Sequence, residues 1–77
     1  MDTTYQTLVS LVARRFGKDE ATIRPEDDFF QTLNIDSLKA LELLSELEQT
    51  FSIEVPDYEL QGVTTFAGLA EVIRRRL

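Results

Sequence analysis

The chain has 77 residues, and a chain this short buries only roughly 60% of the surface its unfolded form exposes, so one thin-cored domain over residues 1–77 is expected. Fourteen carboxylate residues against eight Lys and Arg give a formal charge of −6, which repels nucleic-acid phosphates and anionic lipid head groups and leaves basic protein surfaces as the natural complement. Cys and His are both absent, which removes disulfides, thiolate metal sites and the usual general base, and argues against a resident metal or an enzyme.

No run of about 18 apolar residues occurs, and Met1 is followed by Asp2 and Thr3 rather than by a basic and then apolar leader. A soluble, cytoplasmic monomer is the expectation. Tyr5, Leu8, Val9, Val12, Ala13 and Phe16 keep the i, i+3, i+4, i+7 spacing of one helix face, which predicts a first helix over about residues 3–16. Thr3 with Gln6 offers a capping box before it, and Gly17 a left-handed stop after it. Residues 17–36 lack sustained periodicity and carry Pro25 and the acidic run Glu26, Asp27 and Asp28. Ile23, Phe29, Phe30, Leu33 and Ile35 within that stretch predict a long loop pinned to the core.

Asp36 is a good N-cap for a second helix over Leu38 to Phe51, a stretch without Gly or Pro. On a wheel at about 100° per residue, Ala40, Leu43, Leu44, Leu47 and Phe51 form its core stripe. Leu38 and Leu41 fall outside the stripe and point with Ser37, Ser45, Glu42 and Glu48 toward solvent. Two exposed leucines beside carboxylates read as a small apolar contact with a charged rim. Asp57 to Gln61 predicts one short helical turn closed by Gly62. Ile53-Glu54-Val55 alternates like a strand but has no candidate partner strand. Thr64 or Thr65 then caps a final helix in which Phe66, Leu69, Ala70, Ile73 and Leu77 share one face, and Arg74, Arg75 and Arg76 suit its negative C-terminal end. The fold expected is all-α: three main helices and one short one.

The stretch Leu33-Asn34-Ile35-Asp36-Ser37-Leu38, then Leu41-Glu42-Leu43, Leu47-Glu48, Phe51, Ile53-Glu54-Val55-Pro56-Asp57 and Val63-Thr64-Thr65, resembles the acyl carrier protein family. The likeness covers about residues 28–73. It implies 4′-phosphopantetheine esterified to Ser37 by a phosphopantetheinyl transferase using coenzyme A, with Asp36 serving recognition. It also implies partner enzymes that transfer, ligate or condense acyl groups; the acidic charge suits partners with basic docking surfaces, and Leu38, Leu41, Glu42 and Glu48 on the exposed side of the second helix are the expected contact. Asn34 stands where the family commonly has Gly, and Asn tolerates a left-handed backbone better than most residues. Lys39, Gln49 and Thr50 replace residues often acidic in fatty-acid carriers, which favours a polyketide, hybrid or other specialised pathway. Ile35-Asp36 leans toward the acyl type, with a carrier of aminoacyl or peptidyl groups as the runner-up. An unmodified helical adaptor is a further alternative, and a serine-dependent enzyme is disfavoured because no base stands at a suitable spacing to Ser37.

Overall fold

The computed structural model describes residues 3–77. Its first helix, α1 (Thr3–Phe16), buries Tyr5, Leu8, Val9, Leu11, Val12 and Ala13, the face that the periodicity marks out with Leu11 added and Phe16 only half-buried against the core. Thr3 is already helical, so it is not the N-cap, and the capping position falls outside the described residues. Gly17 follows at φ +66°, the left-handed stop that glycine adopts without a Cβ penalty. Helix α4 (Phe66–Arg76) packs against α1 and buries Phe66, Leu69, Ala70, Val72 and Ile73. The Thr65 hydroxyl accepts from the Gly68 amide at 3.0 Å and caps this helix. Leu77 departs from the expected face: the helix ends at Arg76, and Leu77 is 65% exposed.

Residues 17–36 hold more structure than a loop. Asp19 caps a single 3₁₀ turn at Glu20–Thr22, and Asp28 caps a five-residue helix, α2 (Phe29–Leu33). The five apolar residues of this stretch do bind it to the core: Ile23, Phe29 and Leu33 are buried, and Phe30 and Ile35 pack half-buried against them. Phe29 stacks on Phe30 at 4.5 Å and meets Phe66 at 6.2 Å, both within the range of favourable aromatic pairs. Backbone bonds from Phe29 N to Thr64 O (2.8 Å), Phe66 N to Asp27 O (3.2 Å) and Ala67 N to Pro25 O (2.9 Å) fasten the acidic run to the start of α4.

The longest helix, α3 (Ser37–Phe51), buries Leu43, Leu44 and Leu47, with Ala40 and Phe51 half-buried beside them. It closes on Ser52 at φ 56°, ψ 46°, and Ile53 N bonds back to Glu48 O at 3.0 Å. Ile53-Glu54-Val55 forms no strand; the β-bridge found among the described residues joins Asp28 to Thr65. The expected short turn is a 3₁₀ turn over Asp57–Leu60. Among the described residues no helix is long and apolar enough to cross a membrane, and no cluster of Asp and Glu could hold a metal ion.

Candidate functional site at the start of helix α3

The chain reaches Ser37 through three fixed steps. Asn34 turns left-handed at φ 55°, ψ 51° and ends α2, its amide bonding back to Gln31 O at 3.3 Å. Ile35 N then bonds to Phe30 O at 3.1 Å and lays its side chain on the core. Asp36 next turns the backbone extended, and its Oδ1 accepts from the Lys39 amide at 3.0 Å. Each step is short-range, so the three-residue link between the two helices is rigidly aimed.

Ser37 therefore opens α3 at the positive end of its macrodipole. It is exposed, its hydroxyl makes no hydrogen bond among the described residues, and the Ser37 and Leu38 amides have no acceptor there. A phosphoryl group esterified at this oxygen would meet two free N–H donors and a favourable dipole. The other serines lack that setting. Ser45 sits inside α3 and Ser10 inside α1, where the amides are spent on helix bonds, while Ser52 lies at the negative end of α3.

Beside Ser37 lies a groove of about 300 Å³ lined by Phe30, Ala40, Leu41 and Leu60, with Asp57 and Gln61 contributing from the 57–61 turn. A larger crevice of about 540 Å³ runs along the far side of α1 past Gln6, Ser10, Arg14, Glu20 and Thr50, is mostly polar, and includes nothing of the Ser37 surroundings. The turn that walls the groove is tied to the end of α4. Arg76 donates to Glu59 at 2.8 Å and Arg75 approaches the same carboxylate at 3.8 Å. Hydrogen bonds to the Tyr58 hydroxyl, and then to Glu59, hold the Arg76 guanidinium above its usual pKa. The arginine run thus does more than complement a dipole.

Of the residues expected to form the recognition face, Leu38 is 65% exposed and Leu41 46%, both close to Ser37 along α3. Glu42 is exposed as well, but it already faces Lys39 at 3.5 Å and Arg15 at 3.8 Å. Glu48 departs from the expected exposed side. It is half-buried, and its Oε2 accepts from the Val55 amide at 2.7 Å, so its carboxylate binds the loop after α3 to the helix. The sequence reading also missed Arg15 and Glu46, joined at 3.0 Å, because nothing local signals a contact across 31 positions.

A family model for the phosphopantetheine attachment site matches residues 6–73. An acyl carrier protein of Rubrobacter xylanophilus is 42% identical over 60 residues, 78% of this chain and 74% of that relative. One from Helicobacter hepaticus is 37% identical over 62 residues, 80% of this chain and 82% of that relative. The fold is similar to that of the Enterococcus faecalis acyl carrier protein, with a TM-score of 0.79 over 96% of this chain and 94% of that one, at 20% identity. The chain belongs to the acyl carrier protein family, whose members are carriers rather than catalysts and hold a covalently attached 4′-phosphopantetheine.

Proposed function

We propose that Ser37 bears the 4′-phosphopantetheine arm and that the protein presents acyl thioesters on it to partner enzymes docking against Leu38 and Leu41. The observation that carries this reading is the free, exposed Ser37 hydroxyl at the start of α3, beside two unpaired amides. The bound arm supplies the thiol that a chain without Cys lacks, in a thioester that serves both acyl transfer and carbon–carbon condensation. The protein supplies aim: Asn34, Ile35 and Asp36 fix the attachment point, and the groove beside it can shelter the proximal part of an apolar chain.

That groove also bears on the runner-up. Its lining of Phe30, Ala40, Leu41 and Leu60 is mainly apolar and suits the hydrocarbon of an acyl cargo, with Asp57 as the one carboxylate that an aminoacyl ammonium could meet there. Within this reading the transferase and the acyl-handling partners are cytoplasmic. Lys39, Gln49 and Thr50, where fatty-acid carriers often hold acids, support a polyketide or other specialised pathway. Incubation with coenzyme A and a broad-specificity phosphopantetheinyl transferase tests the site. The unaltered protein gains one phosphopantetheine by mass, and Ser37→Ala gains none while keeping its helical circular dichroism, since loss of this exposed hydroxyl costs at most about 1 kcal/mol. Loading of Ser37→Ala would refute the assignment.

A further inference from the structure

Arg15 lies in the last turn of α1, with its guanidinium 5.8 Å from the Phe16 ring. From there it reaches across to α3 and straddles two carboxylates four residues apart. Nη1 donates to Glu46 Oε2 at 3.0 Å, and Nη2 stands 3.8 Å from Glu42 Oε1. Lys39 Nζ approaches that same Glu42 oxygen at 3.5 Å. The middle of α3, next to Leu38 and Leu41, therefore holds two anions already matched by two cations.

These pairs do little for the fold. The side chains of Arg15, Glu42 and Glu46 are 36%, 44% and 40% exposed, and solvent-exposed pairs contribute only about 0–1 kcal/mol. Their consequence lies in the field that an approaching protein meets. A carrier with formal charge −6 attracts any basic surface, yet beside Leu38 and Leu41 an incoming basic side chain competes with Arg15 for Glu46 and with Arg15 and Lys39 for Glu42.

We infer that Arg15 determines docking specificity by holding Glu42 and Glu46, so that α3 selects partner enzymes offering an apolar recess for Leu38 and Leu41 over partners that rely on strongly basic surfaces. Discrimination of this kind lowers the affinity of wrong partners instead of raising that of right ones. The inference rests on the Ser37 face being the docking face.

The test measures kcat/KM for loading by a phosphopantetheinyl transferase with a basic docking surface, from about 10 mM to about 500 mM salt, where screening shortens from tens of ångströms to a few. Arg15→Gln, which frees Glu46 and leaves Glu42 with Lys39 alone, raises kcat/KM about three- to tenfold at the lowest salt and steepens its fall with salt, the rates converging at the highest. Arg14→Gln makes the same charge change on α1 but faces the polar crevice with Glu20 and Thr50; it stays within about twofold of the parent, as a site away from the docking face should. Adding Glu42→Gln and Glu46→Gln to Arg15→Gln abolishes the gain. Equal effects of the two arginine substitutions, or slower loading by Arg15→Gln, overturn the inference. If the unaltered protein is not loaded at all, the assignment of Ser37 falls first; if it loads and Arg15→Gln matches it at every salt concentration, only the role of Arg15 falls.

Discussion

Among the described residues, two other than glycine hold a left-handed backbone at helix ends, Asn34 at φ 55° and Ser52 at φ 56°. That conformation brings a Cβ too near the following carbonyl and costs most residues roughly 1–2 kcal/mol, with Asn among the more tolerant. Ser52→Gly therefore stabilises the protein by about 0.5–1 kcal/mol in urea denaturation, the relief of strain outweighing the added freedom of the unfolded chain. Asn34→Val, β-branched at the same kind of position, destabilises it by about 1–2 kcal/mol. An unchanged midpoint in both variants would mean that the left-handed turns are not strained. Asn34 was legible in the sequence because the resemblance placed a left-handed turn there. Ser52 was not, since serine carries no strong preference for that conformation.

At the level of elements, α1, α3 and α4 were readable because each spans three or more turns, long enough for an apolar stripe to repeat. Helix α2 escaped notice although Phe29, Phe30 and Leu33 share one of its faces, because five residues give barely more than a single turn and no repeat. The Glu48 contact escaped for a different reason: a carboxylate on a helix looks solvent-facing until the chain folds back over it. Val55 is buried, and its amide has the Glu48 carboxylate as its acceptor. Glu48→Ala leaves that donor unsatisfied and costs about 1–3 kcal/mol of unfolding free energy, whereas Glu48→Gln, which keeps a carbonyl oxygen, recovers much of it. Equal urea midpoints for the alanine variant and the parent protein would show that Glu48 has no tethering role. The Asp36 cap and the exposed Leu38 and Leu41 needed no tertiary information, so most of the site could be read from one short stretch of chain. Lys39 pairs with Glu42 within α3, but Arg15, which reaches Glu42 and Glu46 from α1, required the fold.

Across the whole molecule, the acidic excess meets the core at Tyr5. Burial raises the pKa of its phenol above the ordinary 10.0, and the Glu26 and Asp27 carboxylates raise it further by opposing a phenolate. A folded-state pKa above the unfolded one contributes stability that is complete below about pH 10 and is lost as pH rises through the folded value. Tyr5→Phe removes this contribution, so its melting temperature falls less steeply than the parent's as pH rises above about 10; parallel alkaline limbs would contradict the linkage. The central claim is where a carrier of this family bears its arm, and peptide mass mapping of the loaded protein tests it most directly. Trypsin does not cut efficiently between Arg24 and Pro25, so residues 19–39 leave as one peptide whose single serine is Ser37. The account predicts that the whole mass gain of one phosphopantetheine resides on that peptide and fragments to Ser37. The gain found instead on a peptide carrying Ser10, Ser45 or Ser52 would contradict it.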